Sequence, residues 1–243
     1  MRTLSPGLLR RTNAKNTATA GFTLIEMLIS LAILVIVTGA VFQQINSMQK
    51  KSASEAVNVD LTQQSREFIN QTVRDLHMAG FPGPGMYSSP VVLPSLIANG
   101  LVRVSSTEIL MEGDVNNDGT VESVDILYVA SDPNDPNCPC IRRSAQPKLF
   151  ADSFNEGLNP LYTETQQVFP PSQAGEDLFA FYDQNGNPVD LSTYADISTP
   201  QGIANLGAIK TVKINLSLLT NQRDPQTGGF LRTSMSASAR VSY

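Results

Sequence analysis

Tryptophan is absent from this 243-residue chain, histidine occurs once and cysteine twice. A hydrolase built on a Ser-His or Cys-His pair would need His77, which falls near the end of a long helical pattern and reads as a solvated or lightly packed imidazole. Two cysteines alone cannot complete a structural zinc site. Basic charge is also scarce outside the first 21 residues. That segment holds Arg2, Arg10, Arg11 and Lys15 and no acid; removing those four from the 17 basic residues leaves 13 against 22 acids, a net of −9. An acidic body argues against a broad nucleic-acid surface, because duplex affinity comes mainly from Lys and Arg neutralising phosphates. Proline and glycine are missing from Gln43 to Ala79, so no turn chemistry interrupts that stretch. The composition supplies little for such catalysis, and no catalytic residue is assigned.

What is present begins with one apolar run. From Phe22 to Phe42 the sequence is FTLIEMLISLAILVIVTGAVF, with Glu26 its only ionisable residue. At ~1.5 Å rise per residue, ~20 residues cross the ~30 Å hydrocarbon core. A secretory signal would place its small-residue cleavage site after the apolar core, whereas here Gly21 stands before it. Cleavage there would remove a basic leader, residues 1–21, and keep the anchor. The leader's basic residues would hold that end at the cytoplasmic face. Glu26 is what a plain anchor does not explain, since an unpaired carboxylate in hydrocarbon costs several kcal/mol. The plainer alternative is that Glu26, one turn into the helix, reaches the headgroups and favours the helix N-terminus.

Gly21-Phe22-Thr23-Leu24-Ile25-Glu26 resembles the signal of type IV prepilins and pseudopilins. The resemblance implies cleavage after Gly21 by a prepilin peptidase and methylation of the new terminus, Phe22. It further implies that Glu26 meets the positive N-terminus of a neighbouring subunit during assembly.

Beyond Phe42, Val57, Leu61, Phe68, Ile69, Val73 and Leu76 recur at three- and four-residue steps, the stripe of an amphipathic helix. Residues 22–42 and 43–80 therefore read as one helix, ended by Gly80-Phe81-Pro82-Gly83-Pro84-Gly85. Residues 81–243 read as a β-rich extracytoplasmic domain, with strands over 101–104, 107–111, 124–130, 178–182, 209–219 and 230–241. Ile209–Leu219 alternates apolar with polar residues, as a half-buried antiparallel strand does. Asp224-Pro225-Gln226-Thr227-Gly228-Gly229 would turn it into a hairpin with the last strand. Residues 131–177 lack periodicity and read as irregular and exposed. The expected class is α+β: a long N-terminal helix, membrane-spanning in its first half, on a C-terminal antiparallel sheet. Arg74–Phe81, Phe179–Gly186 and the closing hairpin also resemble PilW-type minor pilins and the larger pseudopilins.

Two local patterns could carry chemistry. Asp114, Asn116, Asp118, Thr120, Glu122 and Asp125, with Gly119 at the sixth position, follow the oxygen spacing of a calcium loop. The alternative is a β-hairpin turning at Asn117-Asp118-Gly119. Cys138-Pro139-Cys140 suits an intramolecular disulfide in an oxidising compartment; bonds to partners or a shared metal site are the other readings.

The resemblance implies a minor pilin or pseudopilin, a structural subunit for filament initiation or tip. Its partners would be other such subunits through the N-terminal helix, the peptidase and an inner-membrane assembly platform. It would reside in the bacterial inner membrane and then in the filament. A type II secretion pseudopilin is the near alternative; a membrane-tethered, calcium-dependent adhesion module is the alternative of another class. No cofactor is required, with calcium the candidate ligand.

Overall fold

The computed structural model describes residues 21–87, 94–148, 162–191 and 195–241. The leader, residues 1–20, lies outside these. The chain divides into two units, Met1–Gln49 and Lys50–Tyr243.

A single helix, α1 (Leu24–Met78, 55 residues), runs through the first unit and into the second. It starts at a reciprocal cap: the Glu26 amide donates to Thr23 Oγ1, and the Thr23 amide and hydroxyl donate to Glu26 Oε2, each at 3.4 Å. This Thr-x-x-Glu capping box satisfies backbone donors that a first turn otherwise leaves open. In the first unit the helix is exposed throughout, and an 18-residue window within it is apolar enough to cross a membrane.

In the second unit the helix buries Leu61, Ser65, Phe68, Ile69, Thr72, Asp75 and Leu76, a face at helical spacing. Of the expected stripe, Val57 stays exposed and Val73 only half-buried, while Ser65, Thr72 and Asp75 enter the interface. The helix ends where Gly80 adopts a left-handed φ of +84° and its amide donates to Glu112 O at 2.9 Å.

Nine strands are described: β1 (Gly100–Val104), β2 (Glu108–Gly113), β3 (Glu122–Val129), β4 (Cys140–Pro147), β5 (Tyr162–Gln166), β6 (Phe179–Tyr182), β7 (Ala195–Asp196), β8 (Thr211–Arg223) and β9 (Phe230–Arg240). They form a six-stranded sheet, β5-β4-β3-β2-β1-β7, and a three-stranded sheet, β6-β8-β9, with every pairing antiparallel. Two short helices complete the described elements, α2 (Pro171–Ala174) and α3 (Pro200–Ala208), the latter capped by Thr199 Oγ1 accepting from the Gly202 amide. One core joins α1 to both sheets, through Phe68, Leu76, Ile109, Val124, Ile126, Ile141, Phe179, Ile214 and Leu218. This is the α+β order expected from the sequence.

One expectation is corrected. The stretch 131–177 holds two strands and a helical turn, and it buries Cys140, Ile141, Ser144, Thr165 and Val168; residues 149–161 of it lie outside the described set. β4 is interior to its sheet although it reads CIRRSAQP, because its charges are paired. Arg143 donates from Nε and Nη2 to Asp75 Oδ2 on α1 at 3.0 and 2.9 Å, and Arg142 meets Asp132 and Asp135. A second interior pair links Lys148 Nζ to Glu112 Oε2 at 2.8 Å, and Lys148 Nζ also donates to Ile97 O at 2.9 Å.

Candidate functional site

Gly21 and Phe22 precede the helix, both exposed, and Glu26 occupies its first turn. The capping bonds to Thr23 are long, so they orient the carboxylate without saturating it. Phe22 is 72 % exposed and Leu24 79 %, and the large apolar side chains that follow as far as Phe42 are more than half exposed. The capping box is legible as Thr23-Leu-Ile-Glu26, a signal that the expectation of a membrane acid passed over.

The second candidate lies in the β2–β3 hairpin. Gly113 pairs with Glu122, so residues 114–121 form the connection, with Asn117 at φ +60° and Gly119 at φ +88°. The hairpin is therefore real, but its loop is longer than a tight Asn-Asp-Gly turn. Asp114 accepts from the amides of Asp118 and Gly119 at 3.1 and 3.0 Å. Asn116 Oδ1 accepts from the Asp118 amide at 2.9 Å, and Asn116 Nδ2 donates to Asp118 Oδ2 at 2.9 Å and to Glu122 Oε1 at 3.0 Å. Thr120 donates its hydroxyl to Glu122 Oε1 at 3.1 Å, and Glu122 Oε2 accepts from the Val115 amide at 3.1 Å. Asp114, Asn116, Asp118, Thr120 and Glu122 are thus brought into one network.

The charges in this network respond to it. The Thr120 hydroxyl and amide hold Asp118 below the usual carboxylate range. Burial pushes Glu122 up, with Asp118 and Asp114 adding repulsion against the bonds from Thr120 and Val115. The Asn116 amide nitrogen sits between two carboxylates, the place a cation would take. A hard cation could enter by turning that amide and exchanging backbone donors for itself.

Asp125 stands apart from the network. It lies within β3, Cα-paired with Leu110 and Ser144, wholly buried, and both its oxygens lack a hydrogen-bond partner among the described residues. Burial pushes its carboxyl up to about 7, Glu108 adds to the rise and Arg103 opposes it.

Cys138 Sγ is bonded to Cys140 Sγ. The Asp135 carboxylate lies with both sulfurs inside a 4.8 Å cluster. With the sulfurs joined to each other, neither is a thiolate ligand, and Asp135 accepts instead from Asn137 and from Thr163 Oγ1. His77 lies exposed in the last turn of α1.

Comparison with known proteins adds one finding at the N-terminus. Residues 16–42 match the family model described as the prokaryotic N-terminal methylation motif, the type IV prepilin-like signal. No curated protein and no solved structure matches the chain.

Proposed function

We propose that this chain, which carries the type IV prepilin-like signal, is a minor pilin or pseudopilin: a structural subunit that starts or tips a type IV pilus-like filament. The signal itself supports a type IV pilin or pseudopilin and membrane-associated assembly with other subunits. The helix-then-sheet fold is pilin-like.

The observation that carries the proposal is the apolar segment of α1. Fourteen large apolar side chains between Phe22 and Phe42 are exposed. At about 1.5–3 kcal/mol for each one buried, covering them is worth tens of kcal/mol. Lipid supplies that cover before assembly, and neighbouring helices supply it in the filament. Cleavage after Gly21 leaves the Phe22 amine as a cation at the head of each helix, and Glu26 is its complement. A carboxylate that is costly alone in hydrocarbon becomes favourable beside that ammonium, so only one axial register between neighbours satisfies both charges. The basic leader keeps the N-terminus cytoplasmic, which puts the domain from Lys50 onward outside the inner membrane.

Mass spectrometry of the mature protein tests the processing: it should begin at N-methylated Phe22. Retention of residues 1–21 in cells with an active prepilin peptidase would refute the assignment. Glu26→Gln should insert in the membrane normally yet fail to enter filaments; unchanged incorporation would reduce the helix to a tether.

A second reading concerns the β2–β3 loop, favoured by the Asp118 and Glu122 carboxylates that meet at the Asn116 amide nitrogen, with Asp114 joined to them through the Asp118 amide. We propose that Ca²⁺ binds there through Asp114, Asn116, Asp118 and Glu122 and stiffens an exposed loop, without catalysis. Such a loop would suit a calcium-dependent contact made by the displayed domain.

A further inference from the structure

The Cys138–Cys140 bridge spans a single residue, Pro139. The stabilisation a disulfide gives through chain entropy grows with the loop it closes, so a bridge this short contributes least as a staple. The segment that carries it is held by other means. The Asp135 amide donates to Asp132 O at 3.1 Å, Cys138 N to Asp135 O at 3.3 Å, Gln167 N to Asn137 O at 3.3 Å and Val168 N to Pro139 O at 2.8 Å. Arg142 pairs with Asp132 and Asp135, and Cys140 lies in β4 between Val129 of β3 and Gln166 of β5. Opening the bridge therefore leaves both sulfurs on a frame that other bonds keep in place.

Asp135 stands on the same frame. One of its carboxylate oxygens and the two sulfurs all lie within 4.8 Å of one another. Its Oδ1 accepts from the Asn137 amide at 3.0 Å and from Asn137 Nδ2 at 3.1 Å, and its Oδ2 accepts from Thr163 Oγ1 at 3.0 Å. The Asn137 amide first, and then the Thr163 hydroxyl, hold this carboxyl below the usual range. They orient it as outer donors orient a metal-binding carboxylate. A carboxylate offers about four lone-pair sites, so Oδ2 keeps one for a ligand. Cys140 is buried, whereas Cys138 and Asp135 are only half-buried, and solutes reach the cluster from their side.

While the bridge is closed neither sulfur is a thiolate. A dithiol reductant opens it by attacking Cys138 Sγ, the accessible sulfur, with Cys140 Sγ leaving. The second thiol of the reductant then frees Cys138 as the reductant closes its own disulfide, so two electrons and two protons pass to the protein. With Zn–S of about 2.3 Å and Zn–O of about 2.1 Å, a tetrahedral ion holds its ligand atoms about 3.6–3.8 Å apart, inside the spread of this cluster. We propose that Cys138, Cys140 and Asp135 form a zinc site that exists only when the bridge is reduced, with solvent in the fourth position. Binding the ion displaces the two thiol protons. Paired thiolates select Zn²⁺ over Ca²⁺ or Mg²⁺, which distinguishes this site from the all-oxygen β2–β3 loop. The proposal does not draw on the filament reading.

The test uses the full chain in detergent micelles, reduced with dithiothreitol without oxygen and then freed of reductant, with Co²⁺ as a spectroscopic probe and Zn²⁺ as its competitor. The reduced chain should take one Co²⁺, with sulfur-to-cobalt charge-transfer absorption and the strong visible bands of a four-coordinate ion, and equimolar Zn²⁺ should erase both. The bridged chain should show neither, since cobalt on oxygen ligands alone gives no such charge transfer. Cys138→Ser should abolish the band while far-UV circular dichroism stays that of the parent. Asp135→Asn should keep the band and weaken Zn²⁺ at least about tenfold. Thr163→Val leaves the carboxylate in place but removes a bond that orients it; it should weaken Zn²⁺ several-fold, and it carries the test should Asp135→Asn not fold. No charge-transfer band in the reduced parent would overturn the proposal. So would one metal per two chains, loss of the fold on reduction, or Zn²⁺ affinity that neither Asp135→Asn nor Thr163→Val changes.

Discussion

Asp75 and Arg143 hold α1 to the six-stranded sheet by a pair that the fold would be poorer for breaking in half. Asp75 is 1 % exposed, its Oδ2 accepts both Nε and Nη2 of Arg143, and its Oδ1 accepts Gln71 Nε2 at 2.8 Å. Burial pushes its carboxyl up, while the Arg143 charge and hydrogen bond pull the other way. Arg143→Met removes the opposing charge and two of three hydrogen bonds but leaves the carboxylate inside. Breaking one partner of such a pair costs about 3–5 kcal/mol, a large part of the ~5–15 kcal/mol that holds a domain together. Replacing both, as Asp75→Leu with Arg143→Met, removes the stranded charge and should bring stability back to within about 1–2 kcal/mol of the parent. The pH dependence has a fixed sign. With Arg143 gone the folded-state carboxyl rises further, so the folded chain holds a proton the unfolded chain has lost, and stability falls as pH rises through the ordinary Asp range. The deficit of Arg143→Met should therefore shrink on acidification. Urea unfolding of the chain in detergent, followed by far-UV circular dichroism, measures all three variants. A single variant within about 1 kcal/mol of the parent at pH 7, or a double variant as unstable as the single, would refute the reasoning.

Asp125, raised to about 7 from 3.8, should make the domain lose about 4 kcal/mol as pH climbs from about 4 to about 7, because the folded state retains a proton through that window. Asp125→Asn should flatten that slope and be the more stable protein at pH 8 by urea titration. Gly113→Ala should destabilise strongly, since a Cβ there would stand 2.3 Å from Met78 O and part the end of α1 from β2; a drop in melting temperature of several degrees checks it. Calcium chloride should raise the melting temperature relative to a chelator-treated sample, and Asp114→Asn should abolish the shift; an equal shift in both would place the ion elsewhere.

The sequence was legible where a local pattern and its physical cause coincide. An apolar run with one acid needs no partner to be read as a helix for a nonpolar phase. β8 and β9 alternate over more than one turn of the pleat, so both strands are readable with ends shifted by a few residues. β4 was not readable, and the reason is specific. A run with two arginines reads as surface until one knows that Asp75, 68 residues earlier, waits for one of them and Asp132 for the other.

The same cause accounts for the candidate sites. The β2–β3 loop was visible because its oxygens are neighbours in sequence, whereas Asp125, which completes the spacing, is carried into the sheet by strand pairing that spacing alone does not encode. Interior charge is permitted by pairing, and pairing is settled by topology.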